Sequence, residues 1–128
     1  MYQMIDILDN QKIDCNHLDT LLNNMIDKFI EIHTFLKNAY EELMAMSHLD
    51  EDVTYIFKNA ELELTKKIVT ILENNNFVIS NAKEKVHIII RIVENICHEI
   101  VYHKHKKINY EVIKKEVINI ISSILKEK

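Results

Sequence analysis

Cys97, His98, His103 and His105 fall within nine positions of the segment ENICHEIVYHKHKKINYEVI, residues 94–113. Thiolate and imidazole are zinc ligands, and a zinc site gathers three or four protein donors near 2 Å from the ion. Placed on a helix at 100° per residue, these four side chains diverge. Cys97 lies at the centre of the apolar face and His103 at its edge, while His98 and His105 lie on the polar side. Glu94 and His98 are i,i+4 neighbours and could chelate weakly, but His105 sits seven residues, about 10 Å, further along the axis. Two donors do not make a zinc site. A carboxylate-bridged di-iron centre needs a Glu-x-x-His pair on each of two helices, and only Glu84-x-x-His87 fits. No metal or other cofactor is expected.

Nucleophilic and acid–base chemistry are equally poorly supported. Cys97 reads as a small core hydrophobe. Cys15 has His17 two positions on but nothing to orient the pair. Glu41/Glu42 and Asp50/Asp52 read as helix-surface and capping carboxylates. The expectation is a protein that binds rather than catalyses. The residues suited to binding are His33 and Tyr40, two helical turns apart, beside the apolar positions Phe29, Leu36 and Met44, with Phe57 entering from the next helix. An apolar, aromatic lining with few polar groups suits a small-molecule pocket. It equally suits an ordinary core with His33 and Tyr40 at its edge, and Met25, Met44 and Met46 would serve either as gap-fillers.

The elements that must position these residues are helices. The 128-residue chain contains no glycine and no proline, where average usage would give about fifteen of the two combined. Corners must therefore be made by Asn, Asp, Ser or His, and sheet hairpins, phosphate-cradling glycine loops and nucleophile elbows are disfavoured. The length suits one compact domain. Two cysteines are too few for a disulfide framework, no secretory leader is evident, and no apolar run reaches the length of a membrane span. These features predict a soluble, cytoplasmic, reducing setting, while the bias to Ile, Lys and Asn is what the AT-rich codons of a low-GC genome produce.

The net charge of −4 is unevenly spread: residues 1–75 carry 14 acids and 6 bases, residues 76–128 carry 6 acids and 10 bases. Lys104, Lys106 and Lys107 form a basic corner, but Arg91 is the only arginine and no aromatic residues interleave with the lysines. That is a poor surface for DNA.

Leu18, Leu22, Met25, Phe29, Ile32, Leu36, Ala39, Leu43 and Met46 step by four and three, which predicts one long helix over about 17–46. Ser47 to Asp50 makes a corner, and the acids at 50–52 suit a helix N-terminus. Val53, Phe57, Ala60, Leu64, Ile68 and Ile71 mark the second helix, which the asparagines of ENNN end. Asn81 with Glu84 reads as the capping box of a third helix running to about His105. Asn109 then caps a fourth. These last two helices each carry two apolar stripes. Val86, Ile90, Val93, Cys97, Ile100 and Val101 form one and Ile89, Ile92, Ile96 and His103 the other. On the final helix the stripes are Tyr110, Ile113, Val117, Ile120 and Ile124, and Ile118, Ile121 and Leu125. Such a face is wider than the roughly 100° a surface helix needs, so the stripe Ile92, Ile96, Ile118, Ile121 and Leu125 is expected to meet a second subunit.

Two long helices followed by NAKEKVHIIIRIVENICHEIVYHKHKKINYEVIKKEVINIISSILKEK (81–128) resemble the C-terminal ligand-binding and dimerisation domain of TetR-family transcriptional repressors. The resemblance rests on helix order, helix length and the terminal pair ending in Ile120, Ile121, Ile124 and Leu125. It implies an all-α antiparallel bundle of four long helices, with residues 1–12 as the tail of a connecting helix. It further implies a bacterial, cytoplasmic homodimer joined through the last two helices. A small apolar effector would bind at Phe29, His33, Leu36, Tyr40, Phe57 and Ala60, and would control DNA binding by an N-terminal helix-turn-helix head that this sequence does not contain. The alternative is a stand-alone helical adaptor or structural dimer without DNA binding.

Overall fold

The computed structural model describes residues 18–35 and 37–126, with only the backbone described at Lys37, Tyr40 and Ser47. The expected N-terminal segment over 1–12 and the effector residue Leu36 lie outside the described residues. Among them the protein is all-α: α1 Leu18–Phe35, α2 Lys37–Ser47, α3 Glu51–Asn74, α4 Ala82–Tyr102 and α5 Tyr110–Lys126. The helix expected over 17–46 is thus present as α1 and α2, on either side of position 36.

The corners show how a chain without glycine turns. Asp50 Oδ1 accepts the backbone N–H groups of Asp52 and Val53, at 2.9 and 3.4 Å, and so caps α3. Asn109 Oδ1 does the same for α5 through Glu111 and Val112, at 3.1 and 3.3 Å. At the end of α3 the N–H of Phe77 reaches the carbonyl of Leu72 at 3.0 Å, and that of Asn76 reaches Glu73 at 3.1 Å. This pair of bonds is a Schellman motif, and the left-handed position it requires is filled by Asn76 at φ 66°. Asn81 plays a different part from the one its capping-box spacing predicts. Its side chain caps nothing, and the residue adopts φ 54°, ψ 42°, the second left-handed corner. Short polar side chains reach that conformation most readily after glycine.

α4 is the central element, packing against α1, α3 and α5, while α1 also meets α5 and α2 lies mainly on α3. This arrangement explains the width of its apolar face. Val86, Ile90 and Cys97 are buried and Ile89, Ile92, Val93 and Ile96 pack half-buried against the same core. Three neighbours in one chain cover a stripe that one neighbour could not. α5 turns inward the face expected to meet a partner: Ile118, Ile121 and Leu125 are buried, and Ile121 is 0 % exposed. Of its other stripe Val117 is buried and Ile120 is 48 % exposed. These three residues of the expected partner stripe thus pack in the chain's own core, with Ile92 and Ile96 half-buried against it. Lys114 on α5 pairs with Asp27 on α1, which ties the two helices at the rim of that core.

α2 departs from the pattern. Leu43 and Met46, which continue the apolar stepping of the first helix, are about half exposed, and no side chain of α2 is buried among those described.

Candidate functional site

The core of the bundle is not completely filled. A cavity of about 80 Å³ lies where α1, α3, α4 and α5 meet. α1 contributes Leu22, Met25 and Phe29, α3 contributes Leu64 and Ile68, α4 contributes Ile89, Ile90 and Val93, and α5 closes it with Ile121 and Leu125. Every lining side chain is hydrocarbon or thioether except Glu94. A water needs about 10–15 Å³ on this scale and two to four polar partners. The cavity therefore has room for several waters but offers them no polar surface, since Glu94 contributes only its hydrocarbon stem. A surface groove also runs over the turn between α3 and α4, beside Phe77 and Val78, but it is open and Val78 is 81 % exposed.

Glu94 sits at the wall of the cavity facing Glu61 of α3. Arg91 Nη1 donates to Glu61 Oε1 at 3.0 Å and lies 4.0 Å from Glu94 Oε2. The side chain of Glu94 is only 15 % exposed, whereas that of Arg91 is 53 % exposed. Burial, and then the negative charge and hydrogen bond of Glu61, push the Glu94 carboxyl up from its ordinary value near 4.5 to about 7. Two carboxylates in a poorly solvated site cannot both ionise cheaply, so Glu94 gives up its proton at higher pH than an ordinary carboxyl. One turn further along α4, Cys97 is fully buried, and burial together with the charges of Glu94 and Asp27 pushes its thiol up to about 12. A thiol held protonated in this way is a packing group, not a nucleophile.

The six expected effector residues divide. Phe29 lines the cavity. His33 lies one turn beyond it, buried, its ring stacked on Phe29 with centroids 4.3 Å apart and its Nδ1 2.9 Å from the Phe29 carbonyl. Burial lowers its pKa below the usual histidine value. Phe57 and Ala60 are half-buried in the first half of α3 and do not line the cavity. Leu36 and the side chain of Tyr40 are outside the described residues. The hollow thus lies nearer the α1 N-terminus and the middle of α4 than sequence spacing suggests. What spacing missed is Glu94: it was visible only as a polar-side neighbour of His98. The signal was its place on α4 one turn before the buried Cys97 and one turn after the buried Ile90.

The histidine-rich segment separates as the helical wheel requires. The His98 ring is tilted against Tyr102 and edge-on to His103, with centroids at 4.6 and 5.4 Å, Cys97 points into the core, and His105 is exposed. Among the described residues no three His, Cys, Asp or Glu side chains gather as a metal would require. The corner itself is held by Tyr110, whose hydroxyl accepts the His105 N–H at 2.8 Å and donates to Glu99 Oε2 at 2.9 Å. No described helix is long and apolar enough to cross a membrane.

No family model, curated protein or solved structure matches the chain.

Proposed function

We propose that this protein is a ligand-sensing helical domain that takes a small apolar molecule into the cavity between α1, α3, α4 and α5. The hydrocarbon lining of that cavity carries the reading. Apolar pockets with one or two placed polar groups are how proteins hold small organic ligands. The volume sets the size. A dry, apolar cavity of about 150 Å³ accepts benzene, so about 80 Å³ suits an alkyl segment of about three carbons unless the helices part. Because α4 contacts three other helices, a ligand that spreads it from any one of them alters the whole bundle. A ligand that prefers one helix spacing shifts the population toward it. That is the mechanism implied by the resemblance to TetR-family effector domains, in which the shift would be read by a DNA-binding head and a second copy of the chain. Half-exposed Ile88, Val112 and Ile120 on α4 and α5 support the second copy.

The test is a titration of the protein with short-chain alcohols followed by methyl NMR. Shifts confined to Met25, Leu64, Ile68, Ile90 and Leu125 are expected, and Val93→Phe, which fills the cavity, should abolish them. Uniform or absent shifts would remove the ligand reading. The second reading, an adaptor that docks another protein, is favoured by one observation. Phe35, Leu43, Met46, Leu49, Tyr55 and Ile56 are all exposed in α2 or beside it, at the end of α1, the turn before α3 and the first turns of α3.

A further inference from the structure

Two corners at one end of the bundle carry opposite charge. α3 and α4 are joined by the short turn over 75–81 and tied by Glu61 and Arg91. They therefore run antiparallel, and the start of α3 lies at the same end as the finish of α4. α2 reaches that end as well: burial, and then the negative charge of Glu41, raise the Tyr102 hydroxyl above its ordinary value. On the α2–α3 side, Leu43, Met46 and Leu49 step by three along the end of α2 and into the turn, 47, 50 and 90 % exposed. Glu41, Glu42, Glu51 and Asp52 stand exposed around them. On the α4–α5 side, the turn exposes Lys104, Lys106 and Lys107, with Ile108 beside them 45 % exposed. No ion pair among the described residues engages any of these seven charges.

We propose that two copies of the chain pair end to end about a two-fold axis, the acidic α2–α3 corner of each seated on the basic α4–α5 corner of the other. An exposed apolar step rimmed by acids calls for a partner surface with the opposite rim, and the chain carries such a surface itself. Because both corners lie at one end, a single two-fold brings each onto its opposite twice and closes the pair. Corners at opposite ends would build an open chain instead. This contact is independent of the cavity and of any packing along α4 and α5 on Ile88 and Ile120. Its attraction comes first from exposed charge, so salt weakens it, whereas salt does not weaken the burial of an apolar face in the same way.

The experiment is sedimentation equilibrium of the full chain at pH 7 in about 50 mM and about 500 mM NaCl, with surface variants whose helicity is checked by circular dichroism. A dimer is expected at the lower salt, its dissociation constant at least about tenfold larger at the higher. Glu41→Lys/Glu42→Lys and Lys106→Glu/Lys107→Glu should each be monomeric alone, because like charges then face one another at both contacts. Mixed in equal amounts they should pair again, since the mixture restores opposite charge at both contacts of the two-fold. An unmodified chain that stays monomeric at the lower salt overturns the proposal, and capture of a lysine-rich amphipathic peptide by that monomer would assign the acidic corner to another protein instead. A dimer indifferent to salt and to both variants, but lost in Ile120→Asp, overturns it in favour of the α4–α5 face. Assembly that grows past the dimer overturns the two-fold arrangement.

Discussion

Glu94 and His33 are both buried ionisable groups, and they pull the pH dependence of stability in opposite directions. The folded-state pKa of Glu94 is raised, so the native state holds a proton that the unfolded chain has released. Stability contributed by that proton is fully present below about pH 4.5 and is lost as pH rises to about 7. The pKa of His33 is lowered by burial, so the native state is neutral where the unfolded chain is charged, and stability is lost as pH falls below about 6.5. The two slopes offset one another between these limits. Glu94→Gln should remove the first and leave the second. In urea unfolding the variant is expected to gain roughly 1–2 kcal/mol at pH 8 relative to the unmodified protein, and its stability should rise monotonically from pH 5 to pH 7. A variant that keeps the original profile would show that Glu94 is ionised in the native state. Neither shift was legible in the sequence, because both depend on what surrounds the side chain. Glu94 differs from the solvent-facing Glu84 on the same helix in being largely buried with Glu61 opposite it.

At the scale of the elements, periodicity predicted the helices well, and the corners were legible because asparagine and aspartate had to do the work of the missing glycine. Which asparagine does which task was not. Asn109 and Asn81 both precede helices at cap spacing, yet only Asn109 uses its side chain; Asn81 and Asn76 instead supply left-handed backbone. The cost of that conformation separates them by mutation. Asn76→Gly should be neutral or stabilising, since glycine adopts φ 66° without strain. Asn76→Ile should cost about 1–2 kcal/mol in chemical denaturation, with no change in helical content. An equal loss for both would mean that the Asn76 side chain, rather than its backbone, holds the end of α3.

For the whole molecule, the central issue is which apolar surface the chain covers itself. Ile121 and Ile120 are neighbours in sequence, both isoleucine, and both belong to stripes that read as buried. Their environments are opposite: one is fully buried and the other half exposed. Ile121→Asp should therefore unfold the chain, by more than about 4 kcal/mol for an unpaired buried charge. Ile120→Asp should leave circular dichroism unchanged. If a second copy packs on α4 and α5, Ile120→Asp and Ile88→Asp should convert a dimer to a monomer in sedimentation equilibrium. A monomeric unmodified chain at micromolar concentration would rule that partner out.

Taken alone, the sequence determined that this protein is helical and which polar residues close the corners before α3 and α5. Those follow from local rules: 3.6 residues per turn, the short list of residues that cap or reverse a helix, and the absence of glycine and proline. The tertiary structure decided which residues of the two apolar stripes on α4 and α5 are buried within the chain, where the core leaves a hollow, and that Glu94 stands at its wall. A hydrophobic stripe records that a face must be covered, but not by what, since a neighbouring helix and a second subunit bury the same area. A carboxylate records nothing of its own charge state until the groups that exclude water from it are in place.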